Sequence, residues 1–222
     1  DIIELGGPCS DPVADGPTIQ AASQRALKNH GSLTNILTLV GRIRRRSQIP
    51  IALMTYYNPV FHFCDKTFAA TALKVGVDGV IIPDLPPEEA RDLRKAAHKT
   101  GLSTIFFMAP TTTNARLKKV VQASTGFVYY VSLTGVTGAR TQLSQTIAFD
   151  VKRAKRLTDK PVCVGFGIST ADHVKTVGQM ADGVIVGSAI VKEIEKNAGK
   201  KDLVKNVSKY VQTLVRALRS IE

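Results

Sequence analysis

Cysteine is scarce: Cys9, Cys64 and Cys163 are odd in number, far apart and free of any Cys-x-x-Cys spacing. That argues against a disulfide framework or a zinc site and for a reducing compartment, so a cytoplasmic location is expected, or a plastid one if the source is a plant. The four histidines are equally scattered, and no metal is expected. No apolar run approaches the ~18 residues of a membrane span, and no signal-peptide layout opens the chain. Neither a Walker lysine motif nor Gly-x-Gly-x-x-Gly occurs, so nucleotide binding is not indicated. Low-complexity linkers and composition breaks are also missing, which favours one domain over residues 1–222.

Charge is present in excess of one sign, with a net +12 and basic runs at Arg42–Arg46 and Lys152–Arg156. Both runs fall in helical stretches without interleaved aromatics, so solvated outer helix faces are favoured over a nucleic-acid surface. What remains is a regular alternation. Apolar runs at Asp1–Gly7, Ile49–Tyr57, Gly79–Asp84, Leu102–Pro110, Gly126–Leu133, Pro161–Ile168 and Gly183–Ser188 are mostly continuous, as strands of a buried parallel sheet should be. Helix signals lie between them: Pro86-Pro87-Glu88-Glu89 as a start with Gly101 as its stop, and a final amphipathic stripe of Leu203, Val207, Tyr210, Leu214, Leu218 and Ile221. Strand–helix alternation of this kind implies an α/β fold, either a (β/α)8 barrel or an open doubly wound sheet. A barrel takes about 30 residues per unit, and this chain supplies seven units.

In a barrel the chemistry gathers at the carboxyl ends of the strands. Glu4 stands between Ile3 and Leu5 and faces the opposite way. With Ile3 and Leu5 against outer helices it is an inward, desolvated carboxylate suited to acid–base work, and no strand run offers a Lys or Arg to pair with it. Asp15 and Asp11 lie beyond the strand end, and each alone reads as a turn or cap residue. Asp84 closes its own run as a catalytic, structural or Asx-turn residue. Three glycine-bearing loops follow later strands: Gly135–Gly138, Gly165–Ser169 and Gly187-Ser188-Ala189. Their backbone N–H groups and a following helix dipole suit a phosphate.

The segments ELGGPCSDPVADGPTIQ, MTYYNP, GVDGVIIPDLPPEE, GFVYYVSLTGVTGAR, VGFGIS and ADGVIVGSAIV, in this order and spacing, closely resemble the α-subunit family of tryptophan synthase. The resemblance implies a (β/α)8 TIM barrel that here lacks the family's usual first β/α unit, so that Glu4 falls on strand 2. It implies retro-aldol cleavage of indole-3-glycerol phosphate to indole and glyceraldehyde 3-phosphate. No cofactor is needed; pyridoxal phosphate belongs to a β-subunit partner in an α2β2 complex, and neither nucleic acid nor membrane is involved. Glu4 matches the catalytic glutamate, Asp15 the aspartate that binds the indole N–H, and Tyr129 a tyrosine near that glutamate. Asp84 matches a supporting aspartate, while Gly138, Gly167, Gly187 and Ser188 match the phosphate cradle. Leu133–Leu143 resembles a closing loop whose Thr137 reaches toward Asp15. Gly7 and Cys9 replace a bulky aliphatic and an aromatic residue, and Gly7 is expected to loosen its strand end. A stand-alone lyase and a non-catalytic interaction or allosteric subunit are the alternatives.

Overall fold

The computed structural model describes residues 1–132, 140–165 and 167–221. The chain forms two compact units, one of residues 1–107 and 122–127, the other of residues 108–121 and 128–222. The first holds β1 (Ile3–Gly6), α1 (Pro17–Lys28), α2 (Leu33–Arg44), β2 (Ile51–Met54), α3 (Tyr57–Phe63), α4 (Asp65–Val75), β3 (Gly79–Ile81), α5 (Arg91–Thr100) and most of β4 (Ser103–Met108). Most of α6 (Asn114–Ala123) belongs to the second. There it is followed by β5 (Val128–Val131), α7 (Arg140–Lys155), β6 (Val162–Gly165), α8 (Ala171–Gly178), β7 (Gly183–Ile185), α9 (Ser188–Asn197) and α10 (Leu203–Arg219). Within the first unit β1, β2, β3 and β4 pair in chain order, and within the second β5, β6 and β7 do so, always parallel.

All seven expected strands are present, each shorter than its apolar run. The surplus lies mostly at the carboxyl ends, where Tyr57 already starts α3 and the residues after Ile81 turn away from the sheet. The helix expected from Pro86 begins only at Arg91. The N–H groups of Glu89 and Ala90 bond back to the Pro86 carbonyl, so the double proline shapes a turn that leads into α5. Gly101 ends α5 as expected, with φ +87°. Of the expected stripe on α10, Leu214 is buried and the other five residues are half-buried, while Ala217, outside the stripe, is buried as well.

One device recurs at the amino ends of the strands. Asp78, just before β3, gives its N–H to the Ile51 carbonyl at 2.9 Å and accepts the Ile51 N–H at 2.7 Å. Asp182, just before β7, does the same with Val162, at 3.1 and 2.8 Å. Each carboxylate also holds a cation from the helix preceding its neighbour strand: Arg44 of α2 for Asp78, and Lys155 of α7 for Asp182 at 3.0 Å. Arg44 reaches further, to the carbonyls of Gly76 at 2.7 Å and Ile49 at 2.5 Å. Gly76 has φ +101°, and a Cβ there would collide with the Arg44 side chain, so glycine serves both the turn and the guanidinium. The basic runs therefore divide. Arg42, Arg45, Arg46, Lys152 and Arg156 are exposed as expected, whereas Arg44 and Lys155 lock sheet to helix.

Loss of either aspartate leaves a strand-start N–H without its acceptor and a cation without its partner. Asp78→Ala and Asp182→Ala are each expected to lower the unfolding free energy by about 1–3 kcal/mol, the range for a hydrogen bond to a charged group. Urea denaturation measures this. Lys155→Met is expected to cost less, because the strand-start hydrogen bonds survive, whereas Arg44→Met also loses the bonds to the Gly76 and Ile49 carbonyls and is expected to cost at least as much as Asp78→Ala.

Candidate active site

Strand β1 carries Glu4, paired in register with Ala52 of β2. Glu4 is only partly shielded as a residue, but its carboxyl end is closely surrounded by protein. Burial, and secondarily the negative charge of Asp15, push its pKa from 4.5 up to about 7. Among the described residues no cation is paired with it. The loop after β1 is held by its own turns: the Val13 N–H bonds to the Asp11 carbonyl at 2.9 Å and the Asp15 N–H to the Pro12 carbonyl at 3.1 Å. Helix α1 starts at Pro17 behind the N-cap Gly16 with no side-chain cap, so Asp15 is free of the capping duty its sequence context suggests. Its carboxylate instead accepts a hydrogen bond from the Tyr56 hydroxyl at 3.0 Å. Asp15 is raised above the usual carboxylate range by burial, and the Tyr56 hydrogen bond partly offsets this. The Asp11 carboxylate accepts from neighbouring Ser10, at 2.6 Å, which fits a local turn role.

Tyr56 is the residue that sequence reasoning missed. It is buried immediately past β2, and its hydroxyl accepts the Ala14 N–H at 3.0 Å while donating to Asp15. One side chain thus fixes both the backbone and the carboxylate of the loop. The available signal was the Tyr56-Tyr57 pair at a strand's carboxyl end, which the apolar run absorbed into the strand. Asp84 lies beyond β3 and accepts the N–H of Tyr57, the first residue of α3, at 2.9 Å. It satisfies one of the helix's orphan donors and so anchors the segment next to Tyr56. Gly7 does not loosen the strand end. Its N–H bonds to the Met54 carbonyl at 2.7 Å, extending the β1–β2 pairing, and a Cβ on it would lie 2.9 Å from Thr55 Oγ1. Cys9 is buried beside the same loop.

In the second unit Tyr129 is buried on β5, level with Cys163 of β6. A Cβ on Gly165, at the end of β6, would lie 2.6 Å from the Tyr129 hydroxyl oxygen, so glycine there makes room for the ring. Gly167 follows in an exposed loop with φ +75°. Gly187 is the N-cap of α9 and Ser188 its first residue, both exposed. The first N–H groups of a helix lack intrahelical partners and carry the positive end of its dipole. Thr137 and Gly138, with the rest of 133–139, lie outside the described residues. Among those described, no three His, Cys, Asp or Glu residues converge as metal ligands, and no helix is long and apolar enough to cross a membrane.

Parallel β/α units pairing in chain order, with a carboxyl group of raised pKa on the first strand, fit an enzyme of the α/β, TIM-barrel class. The family model for the tryptophan synthase alpha chain matches residues 1–219, and the chain belongs to that family, the lyases that cleave indole-3-glycerol phosphate in tryptophan synthesis. The tryptophan synthase alpha chain of Geotalea uraniireducens is 48% identical over 221 residues, covering 100% of this chain and 82% of the relative. That of Geobacter sulfurreducens is 48% identical over 219 residues, 99% of this chain and 81% of its own. Among solved structures, the alpha subunit of tryptophan synthase from Legionella pneumophila superposes with TM-score 0.92 at 35% identity, over 100% of this chain and 82% of that one. The tryptophan synthase α2β2 complex of Pyrococcus furiosus gives 0.89 at 43% identity, over 97% and 86%.

The Glu4 carboxyl carries a pH signature. Its folded pKa lies above the unfolded one, so its contribution to stability is full below pH 4.5 and is lost as pH rises through about 7. Glu4→Gln removes this dependence. Relative to wild type, the variant is expected to gain up to about 3 kcal/mol between pH 4.5 and pH 8. Urea midpoints across that range check this, and equal slopes for the two proteins would refute the raised pKa.

Proposed function

We propose that Glu4 is the acid–base catalyst of indole-3-glycerol phosphate cleavage in this chain and that Asp15 stabilises the charge formed in the indole ring. The observation that carries this reading is the Glu4 carboxyl, desolvated to a pKa of about 7 with another carboxylate as its electrostatic neighbour. A group poised near neutrality both gives and takes a proton efficiently. Glu4 delivers its proton to C3 of the indole, which places positive charge on the ring nitrogen. Asp15 accepts the indole N–H and stabilises that charge. Glu4 then takes the proton of the glycerol hydroxyl beside the ring. The O–H electrons form the aldehyde C=O, and the carbon–carbon bond breaks. Its electron pair returns to the ring, leaving neutral indole, glyceraldehyde 3-phosphate and a reprotonated Glu4. The proton count closes without a cofactor.

Tyr56 positions Asp15 through its 3.0 Å hydrogen bond, and Asp84 steadies the start of α3 next to Tyr56. Tyr129 serves as a wall of the substrate pocket. The phosphate is held by backbone N–H groups around Gly167 and at Gly187-Ser188, with Gly138 as a third contributor and Thr137 as the closing-loop contact to Asp15. A β-subunit partner completes an α2β2 complex of the kind that the Pyrococcus furiosus relative forms, and pyridoxal phosphate is assigned to that partner. The free cysteines fit a reducing compartment, and the cytoplasm is the assigned location.

Indole release from indole-3-glycerol phosphate tests these roles. Glu4→Gln is expected to lower kcat by roughly 100-fold or more, the usual worth of a general acid–base group. Asp15→Asn is expected to lower kcat/KM by a similar factor. Equal rates for wild type and Glu4→Gln would overturn the assignment. Tyr56→Phe is expected to lose roughly two- to tenfold in kcat/KM, the worth of one hydrogen bond.

A further inference from the structure

Helix α10 follows the last strand, yet its polar side chains reach the Gly167 loop through Tyr210 and the carboxyl end of α9, the helix that opens at Gly187-Ser188, through Asn206. Tyr210 donates its hydroxyl to the Ser169 carbonyl at 2.7 Å, in the loop that carries Gly167. The N–H of that same Ser169 faces Nδ1 of buried His173 at 3.4 Å, so side chains hold both polar groups of one loop residue. Four residues before Tyr210, Asn206 donates to Oδ1 of buried Asn197 at 2.8 Å. Asn197 in turn donates to the Glu193 carbonyl at 2.9 Å and to its carboxylate at 3.0 Å. Glu193 and Asn197 belong to α9, whose amino end is Gly187-Ser188. The far end of α10 is seated without slack, since a Cβ on Gly178 of α8 would lie 2.7 Å from both Leu218 and Ile221.

We propose that α10 is a brace that sets the spacing of the two phosphate-binding arms, with Tyr210 and Asn206 as positioning residues for the phosphate group of the substrate. Tyr210 fixes the Gly167 loop, Asn206 fixes α9, and the intervening turn of α10 defines the separation between them. A helix turn is a stiff spacer, so backbone N–H groups on the two arms are held ready for an anion before it arrives. Neither side chain needs to touch substrate. This inference rests on the phosphate reading of Gly167, Gly187 and Ser188.

Calorimetric binding of glycerol 3-phosphate and of indole to the whole chain tests it. Tyr210→Phe is expected to raise the Kd for glycerol 3-phosphate roughly two- to tenfold, the worth of one hydrogen bond, and to leave the Kd for indole unchanged. Asn206→Ser is expected to act in the same direction. Leu93→Ala, a truncation of a buried side chain on α5 of the first unit that leaves α10 and both hydrogen bonds intact, is the control for general destabilisation and is expected to leave the glycerol 3-phosphate Kd near wild type. An unchanged Kd in Tyr210→Phe, or an equal rise in Leu93→Ala, overturns the brace while the phosphate reading stands. Failure of wild type to bind glycerol 3-phosphate more tightly than glycerol overturns both.

Discussion

Two carboxyl groups, Glu4 and Asp15, share one neighbourhood with no cation paired to Glu4 among the described residues, and the first unit is organised to make that arrangement tolerable. A buried charge without a counter-charge is too costly to keep, so Glu4 holds its proton to near neutrality. Asp15 has a hydroxyl donor and is less deeply enclosed. The Tyr56 hydrogen bond therefore differentiates two chemically similar groups, in keeping with the roles proposed above, proton exchange for one and charge stabilisation for the other. This separation of duties through environment alone is a general way for one site to run acid and base chemistry together.

The amino and carboxyl ends of the strands are built from different materials. At the amino ends Asp78 and Asp182 tie neighbouring strands and helices with paired hydrogen bonds and a cation each. At the carboxyl ends the polar groups are aimed at loops: Tyr56 at Asp15, Asp84 at the start of α3, and Tyr210 at Ser169. Ion pairs that lock the scaffold are thereby kept away from the groups whose protonation matters. Each unit by itself follows the division between a stability end and a working end that (β/α)8 barrels show.

The seven strands were readable because parallel strands buried on both sides are continuous apolar runs. Their ends were not, because Tyr57, Asp84 and Ser188 sit where apolar residues continue past the last ladder hydrogen bond. Glu4 stood out because a carboxylate inside an apolar strand is expensive. Tyr56 did not, since a tyrosine in such a run is ordinary and its partner lies 41 residues away. The two aspartate clamps left a legible trace in the Asp-Gly-Val pairs of VDGVII and ADGVIV. That trace gives no hint that Arg44 and Lys155 complete them, because the cations come from helices set far back along the chain. The double proline misled for a simple reason: it suits the first turn of a helix and a preceding tight turn equally well.

The contact between Gly7 and Thr55 has an evolutionary corollary. With Thr55 Oγ1 standing 2.9 Å from where a Cβ would be, and buried without a hydrogen-bond partner among the described residues, position 55 occupies the volume that a side chain at position 7 would need. Neither residue is free to drift alone. An aliphatic side chain placed at 7 demands a smaller or reoriented neighbour at 55, while shrinking 55 alone opens a hole beside β1. The two sites form an epistatic pair, and lineages that carry a bulky residue at the first are expected to differ at the second as well.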